Sequence, residues 1–196
     1  AAALFAPGRV FSREMTWDLL FNLEGAWHLA NGHTPYVDFH DPLGVLGFAL
    51  TRAGFFFVGP RPMAFVVGEC LALAVLGSAA IGATARRLPL LPALIVLASL
   101  VLLVLLPANV GDPPQSYSFA MSYNRLGWAL LLVLSVVLFL PPAAGRPAPT
   151  ADLLLAGALC VAAFYVKVTY AAGALGAVAV APWIAPHLRR HRRLWA

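Results

Sequence analysis

The sequence predicts an all-α fold, a polytopic transmembrane helical bundle with an extracytoplasmic loop that contains amphipathic and interfacial helices. Three observations predict it. Apolar residues make up 61% of the 196 residues and charged residues only 11%, against about a quarter charged in a soluble domain. Several apolar runs reach the roughly 20 residues that cross a bilayer as helix. The polar and acidic residues gather instead at the head of the chain, where Glu14, Asp18, Glu24, Asp38 and Asp41 all precede residue 43; ionisable groups at that density do not lie in hydrocarbon.

Residues 1–62 read as the loop. Within it, residues 14–30 are expected to be helical, because Trp17, Leu20, Phe21, Glu24, Trp27 and His28 fall on one stripe at i, i+3, i+4 spacing. Asn31-Gly32 ends that helix. Thr34-Pro35-Tyr36 and Asp41-Pro42 then mark extended chain, since a residue before proline avoids the α region. Residues 43–58 are apolar but short and carry Arg52, which suggests an interfacial helix lying along the membrane, with a short span as the alternative.

The membrane region is expected over residues 63–186. Residues 63–85, 88–107 and 126–141 read as three spans, with a polar loop over 108–125 and a Pro/Ala/Gly linker over 143–151. As one helix, residues 152–186 would run roughly 50 Å, against a hydrocarbon core of about 30 Å. A short hairpin with its apex near Lys167-Val168-Thr169-Tyr170 resolves the mismatch. Residues 187–196 form a basic flank, Arg189-Arg190-His191-Arg192-Arg193.

Charge sets the expected orientation. With the Arg86-Arg87 turn inside, Arg146 and the terminal arginines also fall inside, while the acidic head falls outside, as the bias of basic residues in short loops requires. The basic flank then faces anionic lipid on the cytoplasmic side. No nucleic-acid surface is expected, because no basic or aromatic patch accompanies the cluster. Cys70 and Cys160 lie in apolar segments and read as small core residues. The chain opens Ala1-Ala2-Ala3 and stops just past a basic flank, which suggests a piece of a longer membrane protein.

The head of the chain carries the strongest functional signal. Trp17-Asp18, Glu24-Gly25-Ala26-Trp27-His28, Asn31-Gly32-His33-Thr34-Pro35-Tyr36-Val37-Asp38-Phe39 and Asp41-Pro42-Leu43-Gly44 resemble the first extracytoplasmic loop of the GT-C glycosyltransferases. Those are polytopic enzymes that draw a sugar from a polyprenyl-phosphate donor. Asp18 matches the family's acidic position after its first span, Gly32, Tyr36 and Asp38 match its G-x-x-x-Y-x-D stretch, and Pro42-Leu43 matches the start of its interfacial helix. Gly59-Pro60-Arg61 falls where the family has a glycine before the next span. Tyr123-Asn124-Arg125 and Phe164-Tyr165-Val166-Lys167 are similar to segments of bacterial members. Where the family often carries Asp-Glu, this chain has Asp18-Leu19.

The resemblance implies a bacterial inner-membrane protein with its N-terminal loop outside the cytoplasm, a lipid-linked sugar as donor, membrane lipid as its surroundings, and room for a divalent cation. Glycosyl transfer needs a base for the acceptor hydroxyl and cations for the departing lipid phosphate. Asp18 is the first candidate for the base, with Asp38, His40 and Asp41 behind it; no tight metal-ligand spacing occurs among them. Lys167, Arg125 and Tyr123 are candidates for the phosphate side, Lys167 most of all, because an ionisable residue at membrane depth is usually functional. Bland readings stand beside these. Asp18 suits a helix cap, Asp38, His40 and Asp41 suit turns, and Lys167 can snorkel to the surface. Two other functions compete: a non-catalytic accessory subunit packing against other membrane subunits, and a transporter. The spans carry few polar residues and no paired broken helices, which speaks against transport.

Overall fold

The computed structural model describes residues 17–105, 121–145 and 149–189. Among these 80% are helical and no strand occurs. Glu14, Asp112, Arg146 and the arginines beyond Arg189 lie outside the described residues.

Among the described residues eight helices follow one another: α1 (Trp17–Ala30), α2 (Leu46–Val58), α3 (Pro62–Ala85), α4 (Leu90–Leu105), α5 (Ser122–Phe139), α6 (Pro149–Val166), α7 (Val168–Ile184) and the single turn α8 (Pro186–Arg189). Three of them, α3, α5 and α6, are long and apolar enough to cross a membrane. The others are too short on that criterion, α4 reaching 16 described residues and α7 17.

Local chemistry sets the helix ends. Gly59 closes α2 at φ 73°, a left-handed conformation that favours glycine, and its N–H donates to the Phe55 carbonyl at 2.9 Å. Pro62 then opens α3 from an extended Arg61, where its missing N–H costs nothing. Lys167 is extended, at φ −171° and ψ 138°, and divides α6 from α7. Ala185 is extended before Pro186, which ends α7.

Two boundaries differ from the sequence reading. The stretch expected as polar loop up to residue 125 is helical from Ser122, so Tyr123, Asn124 and Arg125 form the first turn of α5. A helix starting at 126 would be about 24 Å long if it ran to 141, and the added turn brings α5 to 18 residues. Likewise α6 begins at Pro149, three residues before the expected start, because proline is tolerated in the first turn.

The core lies around α5, which packs against α3, α4, α6 and α7. Its Leu126, Leu130, Val133, Leu134 and Leu138 are buried at i, i+4, i+7, i+8 and i+12, in one cluster with Leu76, Leu100, Leu159 and Ala174 of the surrounding helices. Gly127 lets α5 approach α7, since a Cβ there would lie 2.5 Å from the Tyr170 ring.

The pair α2–α3 is closer still. A Cβ on Gly54 would fall 2.0 Å from the Ala64 carbonyl oxygen, and one on Gly68 would fall 2.7 Å from the Leu50 carbonyl oxygen. Positions 54 and 50 thus oppose 64 and 68, so α2 runs antiparallel along the first half of α3. Backbone contact through these two glycines holds α2 alongside α3.

The packed helices have two distinct ends. At one, Arg87 and Arg86 meet Asp152, with salt bridges of 2.6 and 3.1 Å. The Arg87 guanidinium also donates from Nε to the Leu140 carbonyl at 3.1 Å and from Nη1 to the Ala83 carbonyl at 3.3 Å. At the other end the loop closes over α5 and α6, the Gly44 N–H donating to the Val166 carbonyl at 2.9 Å.

Candidate functional site

The site is built at the second end, where α1, the loop before α2, the start of α5 and the α6–α7 turn converge. Asp18 stands in the first turn of α1, and its Oδ2 accepts the N–H of Met121 at 2.5 Å. Met121 is left-handed, at φ 53° and ψ 35°, and immediately precedes α5. The carboxylate therefore sits at a helix N-terminus, where free N–H groups and the helix dipole favour negative charge. This single contact ties α1 to α5 across 103 residues.

Beside it opens a cleft of about 480 Å³. Asp18, Glu24, Trp17, Phe21, Leu43 and Tyr123 contribute to its walls, and no basic side chain lines it among the described residues. Tyr123 is the hinge of the arrangement. One side of it faces this cleft, and the Lys167 ammonium lies 5.1 Å from its ring centroid, within cation–π range. Lys167 is half-buried at the break between α6 and α7. Asp18, Tyr123 and Lys167, widely separated in sequence, thus belong to one neighbourhood. Arg125 lies half-buried two residues along the same turn of α5.

Asp38, His40 and Asp41 are placed differently. Asp38 is exposed and accepts the Thr34 N–H at 2.6 Å, while Tyr36, left-handed at φ 66°, donates its N–H to the Phe39 carbonyl at 2.8 Å. The segment 34–39 is a closed turn, and the Asp38 carboxylate holds it shut. Asp41 accepts the Leu43 N–H at 2.6 Å. Burial pushes its carboxyl above the usual range; the Leu43 hydrogen bond opposes that, and the neighbouring Glu24 charge adds to it. His40 and Asp41 line a smaller hollow of about 90 Å³, shared with Glu24, His28 and Phe39. There the His28 ring stacks on Phe39, with centroids 4.7 Å apart, and meets His33 through its Nδ1 at 2.7 Å, one ring donating to the other.

No family model matches the chain, and no curated protein or solved structure matches it. The geometry therefore stands alone.

Two acidic residues outside the expected set enter it. Glu24 lines both hollows and joins them; its one-turn spacing from His28, now a 4.0 Å pair, was the sequence signal. Glu69 lies on α3 and is buried at 8% exposure, with Arg125 the positive charge that bears on it. Its signal was a lone acid within an apolar run. Among the described residues no group of three or more His, Cys, Asp or Glu side chains is arranged to hold a metal ion.

Proposed function

We propose that the chain is a polytopic membrane glycosyltransferase of the GT-C kind, or part of one, resident in a bacterial inner membrane with the acidic end of its helices outside the cytoplasm. The donor is a polyprenyl-phosphate-linked sugar, and the acceptor is extracytoplasmic. One observation carries the reading: Asp18 lines an open cleft whose Tyr123 wall is backed by Lys167. That arrangement offers what the reaction needs at adjoining positions, a carboxylate for the acceptor hydroxyl and a cation for the lipid phosphate. The free Oδ1 of Asp18 is the acceptor of the proton in this scheme, since Oδ2 is bound to Met121.

The test is transfer from a polyprenyl-phosphate sugar by the full-length protein, with Asp18→Asn compared to the parent. Asparagine keeps an oxygen for the Met121 N–H, so the helices stay tied while the base is lost. Loss of transfer with normal membrane insertion supports the proposal, and unchanged turnover removes it.

A second reading draws on the same contact. The Asp18 carboxylate is already engaged as a tie between α1 and α5, which suits an accessory subunit whose loop only packs. Copurification with a stoichiometric membrane partner, and no transfer by the chain in any context, selects this reading.

A further inference from the structure

The lining of the cleft beside Asp18 bears on the acceptor. Three aromatic side chains, Trp17, Phe21 and Tyr123, share it with two carboxylates, Asp18 and Glu24. No basic side chain lines it among the described residues, and its volume of about 480 Å³ falls in the range of small-ligand sites. Carboxylates accept hydrogen bonds and donate none. Two of them without a neighbouring cation repel phosphate or carboxylate and attract hydroxyl donors. The donor's phosphate is served by Lys167, which lies over the Tyr123 ring and outside the cleft lining.

Main-chain chemistry weighs against a polypeptide. A bound peptide pairs its own N–H and C=O groups with free backbone, as along a sheet edge. At the loop wall Pro42 has no N–H, the Leu43 N–H donates to Asp41 at 2.6 Å, and the Leu43 carbonyl accepts the Tyr36 hydroxyl at 2.8 Å. The other walls come from the helices α1 and α5, so no extended edge is open among the described residues. A sugar ring needs none. It offers hydroxyl donors at its rim, for carboxylates, and apolar C–H faces, for the negative face of an aromatic ring. Trp17 is the most open of the three rings, at 78% exposure. Trp27, on the same outward stripe of α1, is 51% exposed but does not line the cleft. Exposure alone suits a membrane-interface anchor for either ring; only Trp17 also faces the acidic cleft.

We propose that the acceptor is an uncharged glycan, bound with one sugar ring against Trp17, its attacking hydroxyl at Asp18 and a neighbouring hydroxyl donating to Glu24. The inference rests on the transfer reading above. In the transfer the acceptor oxygen bonds to the donor's anomeric carbon and its proton passes to Asp18. The bond from that carbon to the lipid-phosphate oxygen breaks, and polyprenyl phosphate leaves.

The test supplies membranes carrying the full-length protein with radiolabelled polyprenyl-phosphate sugar and partitions the label among glycan, protein and lipid. Label in an uncharged glycan, resistant to protease and to solvent extraction, is expected. Label in protein, in lipid or in a phosphorylated glycan overturns this inference and leaves the transfer reading standing, whereas no transfer by the parent removes both. Kinetics then use the protease-treated, solvent-extracted glycan of the same membranes as acceptor. Trp17→Ala raises the acceptor KM about two- to tenfold, with kcat and the donor KM unchanged, and Trp17→Phe restores most of it. An acceptor KM in Trp17→Ala equal to the parent's overturns the proposal. So does an equal rise in Trp27→Ala, which assigns both rings to the lipid interface.

Discussion

The Arg87 guanidinium and the Asp152 carboxylate meet at 2.6 Å across 65 residues of chain, with the arginine side chain 1% exposed and the aspartate 7%. This pair fastens the end of α3 to the start of α6, and Arg86 reaches the other Asp152 oxygen at 3.1 Å. Removing one partner of such a pair strands a buried charge, at about 3–5 kcal/mol. Asp152→Ala is therefore expected to lower thermal stability in detergent far more than Arg86→Ala, because Arg86 is a quarter exposed. The double change Arg87→Met with Asp152→Leu, which leaves only the part-exposed Arg86 without its partner, recovers most of the loss. A melting series on the four proteins checks this.

The same cluster sets a pH dependence through His187, whose Nε2 is buried without a hydrogen-bond partner. Burial and the Arg87 charge hold the His187 imidazole below its usual value of 6.5, against an opposing pull from Asp152. The folded state then binds fewer protons than the unfolded chain, so stability is full above that value and falls as pH drops below it. His187→Gln is expected to flatten the melting temperature between neutral and mildly acid pH. A variant as pH-sensitive as the parent contradicts the assignment.

Helix approach through glycine gives a sharper contrast. Gly54→Ala puts a methyl 2.0 Å from the Ala64 carbonyl oxygen, while Gly77→Ala meets nothing within 4 Å. Backbone cannot yield as a flexible side chain does, so the first change is expected to cost about 1–3 kcal/mol. The second is neutral or stabilising, since alanine is the better helix former. Thermal unfolding of the two variants side by side measures the difference.

Lys167 offers a binding prediction. If its ammonium meets the lipid phosphate, Lys167→Met removes a charge-assisted hydrogen bond of about 1.5–3 kcal/mol, which is about a tenfold to hundredfold loss of affinity. Titration with a polyprenyl phosphate in detergent reads this directly. Lys167→Arg keeps the charge and is expected to retain most of the binding.

Helical character, and the membrane-length runs at α3 and α5, could be read from hydropathy because a helix in lipid needs little beyond length and apolar side chains. The break at Lys167 follows from the same arithmetic, since the largely apolar stretch 152–186 is longer as one helix than a bilayer is thick. Tertiary choices were not legible. Tyr123 and Arg125 look like loop because they are polar, but the Met121 N–H just before α5 finds the Asp18 carboxylate and the helix begins at Ser122. The path of α2 depends on Gly54 and Gly68 matching the backbone opposite, which no single-chain pattern reveals. In the site, Asp18, Tyr123 and Lys167 were each chosen separately, and only folding makes them neighbours. Asp38 closes a turn instead, held by the Thr34 N–H.

The proposed transfer requires the acidic head and Lys167 to face the same compartment. The direct measurement is cysteine labelling with a membrane-impermeant maleimide in intact cells, in a background with Cys70 and Cys160 replaced. Val37→Cys and Val168→Cys, both at exposed positions, should label from outside, and Arg86→Cys should label only after permeabilisation. Labelling of positions 37 and 168 from opposite sides of the membrane would contradict the site and the function proposed for it.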